Sequence, residues 1–243
     1  MTDSGIDGWV HAPRQARSQA TLERFVDATQ QLLEERPFEE ITVADIVKAA
    51  ERTVGSFYAR FEDKLSVLYV IVERMHDRIQ ALTRAFCDPV RWEDVSLAEF
   101  VEEAVRLNVL AYRRAGPLFR ASIQACTTDE RFRIRRMETM QVCAEAQKQF
   151  VLTRLAEVDC ADPARASDRM LELLSATLDH ELLFGRFTTT QVASDAALVE
   201  ELVDQCMHLL KVRLPVVSPG QSPQVASGLA SGSAVDREPA ERW

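Results

Sequence analysis

A chain of 243 residues with 47% hydrophobic residues is long enough to bury a large core, in one domain or in two modest ones. It has no apolar run of about 18 residues, no basic-then-apolar leader, and five cysteines that stand without paired spacing. These features argue against a membrane span, a secretory signal, a disulfide framework and a zinc site, and they predict a cytoplasmic protein with reduced thiols. The low content of glycine (8) and proline (9) is typical of an all-α protein.

The first residues predict an arm followed by a helix. Residues 1–17 are expected to be disordered, and their last part, 13–17, is either an arm that reaches phosphates or the minor groove of DNA, or a solvated lead-in. Residues 18–35 carry apolar side chains at helical spacing, and Pro37 ends this helix. The apolar stripe consists of Leu22, Phe25, Val26, Thr29, Leu32 and Leu33.

Residues 41–64 predict two short helices joined by a tight turn, followed by the start of a third helix. Thr42 and Asp45 have the spacing of a capping box, and Thr53 is a second N-cap after a turn at Glu51 and Arg52. In the second helix, Val54, Phe57 and Phe61 are expected to point inward. The outer surface is then small and polar, so that it can enter a DNA major groove without steric conflict. It consists of Gly55, Ser56, Ala59 and Arg60.

This segment resembles the helix-turn-helix of the TetR family of transcriptional regulators. The resemblance runs without gaps from about residue 21 to residue 68, and it departs from the family pattern at Glu51 and Arg52, where a glycine and a small apolar residue are usual. Glu51 has to adopt the turn without the freedom of glycine at positive φ. The matching residues are Thr42, Val43, Ala44, Asp45, Ile46, Ala49, Ala50, Thr53, Val54, Gly55, Ser56, Phe57, Tyr58, Phe61, Lys64 and Leu65.

The resemblance implies how this segment meets DNA. Gly55 and Ser56 stand where the family reads base edges, and Val54 either touches a thymine methyl or belongs to the core. The positions that the family uses for phosphates hold Thr42, Thr53, Tyr58 and Lys64. Arg52 and Arg60 contact either phosphate or base.

The net charge of −9 is the main argument against a nucleic-acid partner. Residues 13–64 hold eight basic and ten acidic residues, so even this segment has a net charge of −2. However, Arg52, Arg60 and Lys64 flank the predicted reading helix, whereas the acidic cluster of Glu34, Glu35, Glu39 and Glu40 lies at the end of the first helix. A local positive edge is compatible with specific binding by an acidic protein.

The remainder of the chain reads as helices. A long fourth helix, 63–88, is expected to bridge to a second domain, and further helices are predicted at 96–115, 118–125, 129–158, 163–185 and 195–214. We therefore expect an arm at 1–17, a helix-turn-helix DNA-binding domain at 18–64, a helical ligand-binding and dimerisation domain at 65–214, and a disordered Ser/Pro/Gly-rich tail at 215–243.

The last two helices have an apolar surface broader than one neighbour would cover. They are either central in the monomer or form a four-helix dimer interface, which the resemblance also implies, and we expect a homodimer with two reading helices about one DNA turn apart. The interface residues predicted are Leu171, Leu174, Leu178, Leu182, Leu202, Cys206 and Leu209.

By resemblance, the second domain also holds a pocket for a small-molecule effector. The predicted lining residues are Phe86, Leu107, Leu110, Phe119, Ile123, Met137, Met140 and Phe150, although each also fits an ordinary core. The basic run 131–136 either meets an anionic ligand or is a solvated helix face. Asp179, His180 and Glu181 lack a second group at ligand spacing, so no metal site is predicted.

These features bear on three classes of function. An enzyme is disfavoured because the sequence has no GxSxG, P-loop, GxGxxG or HExxH motif, and no cofactor is expected. A helical scaffold or ligand-binding protein whose helix-turn-helix no longer binds DNA is the alternative that the acidic charge and the Glu51–Arg52 turn leave open. The prediction is a homodimeric regulator, a repressor that binds a double-stranded, pseudo-palindromic operator and is released by a small molecule.

Overall fold

A computed structural model describes residues 16–185 and 194–213 of the chain. These ranges contain nine α-helices and no β-sheet, which confirms the all-α prediction. Residues 1–15 of the predicted arm at 1–17 and the predicted tail at 215–243 lie outside the described residues, while Ala16 and Arg17 belong to the first helix and not to the arm. The helices are α1 (Ala16–Glu35), α2 (Val43–Ala49), α3 (Val54–Tyr58), α4 (Lys64–Phe86), α5 (Leu97–Arg114), α6 (Gly116–Thr128), α7 (Glu130–Leu152), α8 (Pro163–Phe184) and α9 (Asp195–Leu210).

The first three helices enclose a small aromatic core. The ring of Phe25 on α1 meets the ring of Phe57 on α3 at a centroid distance of 5.4 Å, and that of Phe61 at 6.0 Å, both edge to face. All three side chains are fully buried. Edge-to-face rings of this kind add to the free energy of apolar burial. The packing therefore holds α3 against α1 by one face and leaves its other face outside.

Helix α4 joins the three-helix unit to the rest of the molecule. It begins with a capping box between Asp63 and Ser66, and its buried residues lie between Ser66 and His76, where it packs against α1 and α7. Arg74 on α4 makes two hydrogen bonds to the carboxylate of Glu23 on α1, at 2.6 and 2.8 Å. On the opposite side, Arg135 on α7 lies 2.9 Å from Glu73 and 2.5 Å from Asp77 of α4.

Several predicted helix boundaries are wrong, for local reasons. Helix α5 ends beside its predicted end at residue 115, but α6 begins at Gly116 rather than at residue 118, because proline is tolerated in the first turn of a helix. Helix α7 ends at Leu152 and is followed by a separate 3-10 turn at Leu155–Glu157, so Leu155 is 51% exposed rather than buried. Helix α9 ends at Leu210, since Lys211 takes a left-handed conformation with φ of 48°. The predicted end of α8 at Gly185 is confirmed.

An aromatic cluster fills the end of the molecule far from α3 along α4. Phe100 on α5 stacks on Phe150 of α7 at 4.0 Å, and both adjoin Trp92, which follows α4 in a 3-10 turn at Pro89–Trp92. The indole of Trp92 donates a hydrogen bond of 2.6 Å to the carbonyl of Phe86. Within the described part of the chain, no helix combines the length and the apolar character that a membrane span requires.

One polar side chain of α4 is buried without a partner. His76 is 2% exposed, and neither ring nitrogen has a hydrogen-bond partner among the described residues. Burial lowers the pKa of His76 to about 3, and the nearby charges of Arg135 and Arg136 lower it further in the same direction. The folded protein therefore holds this imidazole neutral at pH values where the unfolded chain protonates it.

We predict that His76 makes the protein less stable in mild acid. Below an unfolded pKa of about 6.5, the unfolded chain binds a proton that the folded protein refuses, so the free energy of unfolding falls as pH falls, by up to about 1.4 kcal/mol per pH unit. Denaturant unfolding of His76→Leu between pH 7 and 4 should show a shallower decline than the wild type. Exposed His208 on α9 serves as the control, since His208→Gln should leave the decline unchanged. Equal slopes for all three proteins would contradict the prediction.

Candidate nucleic-acid interface

The turn between α2 and α3 is built without glycine. Glu51 adopts φ of 53°, in the left-handed region, and Arg52 returns a hydrogen bond of 3.0 Å from its backbone N–H to the carbonyl of Val47. The guanidinium of Arg52 also donates to the carbonyl of Glu51 at 3.0 Å. The predicted turn is confirmed. Glu51 is strained in this left-handed conformation, which glycine would adopt without strain.

Both short helices begin with reciprocal caps. Thr42 and Asp45 form the predicted capping box of α2. Thr53 and Ser56 form a second one at α3, which the sequence reasoning missed although the Thr-x-x-Ser spacing could have indicated it. The hydrogen bonds from Thr42 hold the pKa of Asp45 down, to about 2, and Arg36 at 3.2 Å acts in the same direction. The caps start both helices at fixed residues, which orients α3 against α2.

The outer face of α3 is small at its first turn. Tyr58 is 53% exposed and Val54 is 50% exposed, so the expectation that Val54 points inward is wrong. Phe57, three residues further along the chain, is fully buried against Phe25 as predicted. Gly55 is exposed, and a Cβ built there meets no other atom within 4 Å.

Two of the predicted contact residues are partly engaged within α3. The hydroxyl of Ser56 donates to the carbonyl of Thr53 at 2.7 Å and accepts from the backbone N–H of Thr53 at 3.2 Å. The guanidinium of Arg60 donates to the carbonyl of Ser56 at 3.3 Å, at the C-terminal end of the helix. Both side chains are half-buried.

Lys64 has a structural role that the sequence did not indicate. Its ammonium donates to the carbonyls of Phe38, Glu39 and Ile41 at 3.0, 3.1 and 2.9 Å, and it lies 4.7 Å from the ring centroid of Phe38. These residues stand more than 20 positions away in the chain, so only the folded arrangement brings them together. A contact between Lys64 and phosphate remains a prediction, and it would have to share or replace these carbonyls.

The nine predicted DNA-contact residues lie in one region around α2, α3 and the start of α4. Five are exposed and four are half-buried in the free protein. The exposed ones are Thr42, Thr53, Val54, Gly55 and Tyr58, and the half-buried ones are Arg52, Ser56, Arg60 and Lys64.

The predicted effector-pocket residues lie in several different surroundings. Phe86 and Phe150 belong to the aromatic cluster, Phe119 stacks on Tyr112 at 4.4 Å, and Leu107, Ile123 and Met140 are half-buried. Met137 is 53% exposed, and its role as a lining residue stays a prediction. Among the eight, Leu110 alone lines the large cavity described below, between α5 and α9.

Most of the predicted dimer residues are buried within one chain. Leu171, Leu174, Leu178, Leu202 and Cys206 are at most 7% exposed, because α8 and α9 pack against each other and against α5 and α7. These five cannot meet a second copy, and predicting them as interface residues was wrong. Leu182 is half-buried and Leu209 is 37% exposed.

The outer face of α8 and α9 was missed by the sequence reasoning. Phe184 is 76% exposed, and Leu173, Ala176, Thr177 and His180 lie on the same side of α8. Together with Leu209, these residues form what we term the outer strip. The helical spacing of residues 173, 176, 177, 180 and 184 could have distinguished the outer strip from the buried leucines.

The basic run 131–136 divides into two pairs. Arg131 and Arg133 are exposed and pair with Asp129 and Glu130. Arg135 and Arg136 point into the molecule, so the interpretation of the whole run as a solvated face is wrong. Arg136 lies 2.5 Å from Asp179, whose other oxygen accepts a 2.7 Å hydrogen bond from Tyr112.

Comparison with known proteins agrees with this geometry. Residues 25–68 match the profile of bacterial regulatory proteins of the tetR family. A curated relative, described as the uncharacterized HTH-type transcriptional regulator YwcC of Bacillus subtilis (strain 168), is 30% identical over 98 residues. That alignment covers 40% of this chain and 44% of YwcC, so the chain matches less than half the length of this relative.

Solved structures extend the likeness to the fold as a whole. A putative TetR-family transcriptional regulator from Mesorhizobium loti has a TM-score of 0.63 and 14% identity, and the match covers 81% of this chain and 98% of that one. NalD of Pseudomonas aeruginosa, described as the secondary repressor of the MexAB-OprM multidrug efflux pump, has a TM-score of 0.55 and 20% identity, covering 81% and 98%. At these identities the likeness concerns the fold alone.

We predict that Glu51→Gly stabilises the protein. Glycine adopts the left-handed conformation without the penalty of about 1–2 kcal/mol that a side chain brings, and its greater freedom in the unfolded chain offsets part of that gain. The free energy of unfolding should rise by about 0.5–1 kcal/mol in chemical denaturation. Glu34→Gly, on the exposed side of α1, should instead lower it by about 1 kcal/mol. Equal losses in the two variants would contradict the strained turn.

Proposed function

We propose that this chain is a transcriptional regulator of the TetR family, a homodimeric repressor that binds a pseudo-palindromic DNA site and is released by a small molecule. The match of residues 25–68 and the likeness of the fold support this proposal. The observation that carries the proposal is the outer face of α3. It is capped, exposed and free of bulk at Gly55, while Phe57 and Phe61 anchor the opposite face. Such a helix can approach base edges in the major groove closely.

The residues proposed to contact DNA divide by chemistry. Gly55, Ser56 and Val54 face the bases, where a small surface, a hydroxyl and a methyl group can each be read. Thr42, Thr53, Tyr58, Arg52 and Arg60 surround them and suit phosphate oxygens. Local positive charge beside the reading helix offsets the acidic charge of the chain.

The homodimer is proposed to form through the outer strip of α8 and α9. An exposed Phe184 with small neighbours such as Ala176 and Thr177 allows close packing of two copies of the helix pair. Dimerisation would place two α3 helices about 34 Å apart, one turn of DNA, and double the contacts with a symmetric site.

We further propose a role for each part of the chain and a location for the protein. Residues 18–64 would bind DNA, residues 65–214 would bind the ligand and the second copy, and the protein would act in the cytoplasm without a catalytic role. The description of NalD as a repressor supports that sign of regulation. Since α4 is joined to α1 by Arg74 and to α7 by Arg135, movement of α7 would shift the DNA-binding unit.

DNA selection with the purified protein tests the function. A random duplex library at moderate salt should yield a palindrome whose half-sites lie about one turn apart. Failure to enrich any site with a folded dimer would refute the regulator. It would favour the alternative, a helical ligand-binding or scaffold protein whose helix-turn-helix no longer binds DNA.

We predict that Gly55→Leu abolishes tight DNA binding without harming the fold. A side chain at Gly55 meets no protein atom within 4 Å, so the melting temperature should stay within about two degrees of the wild type. On the selected DNA, the new side chain would hold α3 away from the bases, and affinity should fall at least about tenfold, or 1.4 kcal/mol. Ala85→Leu, exposed near the other end of α4, is the control and should bind normally. Full affinity in Gly55→Leu would contradict the reading face.

We predict that Phe184→Glu converts the dimer to a monomer. Phe184 is 76% exposed within one chain, so a charge there is tolerated by the monomer but would be buried and unpaired between two copies. Sedimentation at micromolar concentration should give a dimer for the wild type and a monomer for this variant. Val90→Glu, at a 71% exposed site in the 3-10 turn after α4, should remain dimeric. A monomeric wild type, or a dimeric Phe184→Glu, would contradict the outer strip as the interface.

A further inference from the structure

A large groove lies between α5 and α9, away from the DNA-binding unit. Its volume is about 1170 Å³, above the usual range for sites that hold small organic molecules. The floor is apolar and is formed by side chains of both helices, while charged residues stand along the rim. The floor residues are Val109, Leu110, Val199, Val203 and Met207.

The groove and the outer strip occupy different sides of α9. Val199, Val203 and Met207 follow one another at four-residue spacing on the flank next to α5. Leu209 lies on the opposite flank, beyond the buried row of Leu198, Leu202, Cys206 and Leu210. A dimer through the outer strip would therefore leave the groove open.

The arginines on the rim are engaged by nearby carboxylates. Arg113 contacts Glu181 at 2.7 Å and Asp195 at 2.8 Å, which ties α5 to α8 and α9. Arg106 contacts Glu103 at 2.5 Å, and Arg213 contacts Asp159 at 3.3 Å. Their positive charge is thus offset before any ligand arrives, and an anion would have to compete with carboxylates already in place.

Two carboxylates on the same rim have no such partner. Glu200 and Asp204 stand one helical turn apart on α9, are exposed, and take part in no ion pair among the described residues. Two further basic residues line the rim at the end of α9: His208 lies one helical turn beyond Asp204, and Lys211 lies nearly two turns beyond it. The middle of the groove therefore combines an apolar floor with two carboxylates that form no ion pair among the described residues.

We propose that this groove binds an amphipathic organic cation. The apolar body of the ligand lies on Val109, Val199 and Val203, where its burial provides most of the affinity. Its ammonium or phosphonium charge lies at the rim beside Glu200 and Asp204, which select against anions of the same shape. The proposal that the groove binds a cation is independent of the proposed function. The proposal that this groove is the effector site rests on the proposed function.

Polar contacts connect the groove to α4. Next to Arg113 on α5, Tyr112 donates to Asp179 on α8, and Asp179 pairs with Arg136 on α7. The adjacent Arg135 holds Glu73 of α4. A ligand that separates α5 from α9 moves residues that adjoin these contacts. It can therefore favour one position of α4 over another.

The test compares two probes of one shape and opposite charge. Tetraphenylphosphonium and tetraphenylborate are titrated into the full-length wild-type protein by calorimetry. The phosphonium should bind at least tenfold more tightly. Equal binding of the two ions, tighter binding of the borate, or no binding of the phosphonium would overturn the proposal.

Variants locate the site. Glu200→Gln/Asp204→Asn should weaken phosphonium binding at least tenfold, and Val203→Trp should weaken both probes by filling the floor. Glu130→Gln/Glu145→Gln removes the same charge from exposed positions on α7 and should bind as the wild type does. Unchanged phosphonium affinity in Glu200→Gln/Asp204→Asn would overturn the site.

A second readout separates the site from the effector role. Phosphonium is added to the protein on its selected DNA, and dissociation is followed by fluorescence anisotropy. Release that is lost in Glu200→Gln/Asp204→Asn supports the groove as the effector site. Tight, variant-sensitive binding without release upholds the site and refutes its role in regulation. Failure to select DNA at all refutes the proposed function and leaves the calorimetric result standing.

Discussion

The contact between Arg135 and the carboxylates of Glu73 and Asp77 fixes α4 against α7, and the arrangement of the molecule depends on it. Glu73 is buried, which raises its pKa, and the charge of Arg135 counteracts that effect. A buried ion pair adds little to the free energy of unfolding compared with apolar residues of the same size. Removal of one partner leaves the other charge buried and unpaired, which lowers the free energy of unfolding by about 3–5 kcal/mol. The main effect of this ion pair is on geometry, because it sets where α4 lies and hence where α1 and α3 lie.

The opposite side of α4 is held differently. Arg74 and Glu23 form a two-pronged pair at the surface, and the Phe25, Phe57 and Phe61 rings supply the apolar packing beneath α3. Surface pairs are worth little individually, so the aromatic core carries most of the stability of this unit. The reading face can then be small and polar, since the opposite face of the same short helix secures it.

Helices α5 to α9 place several of their polar groups in a chain rather than in a single pocket. Tyr112, Asp179 and Arg136 link α5, α8 and α7, while Arg113 links α5 to α8 and α9. The groove between α5 and α9 adjoins this chain, and the outer strip lies on the other side of α9. The surfaces proposed for the ligand, the second copy and DNA are therefore separate, so that one could influence another without direct competition.

The sequence by itself determined the helix-turn-helix, because its signals are local. The Thr42–Asp45 box, the Thr53 cap and the turn at Glu51 act within a few residues, and the long apolar periods of α4 and α8 are unmistakable. It could not distinguish buried from exposed leucines on α8 and α9, since a helix surrounded by neighbours is apolar on several sides. The three carbonyls around Lys64, the inward turn of Arg135 and Arg136, and the groove beside Glu200 arise between segments distant in the chain. Only the tertiary structure decided these, because a side chain's partner is set by which helices pack together and not by its own neighbours in sequence.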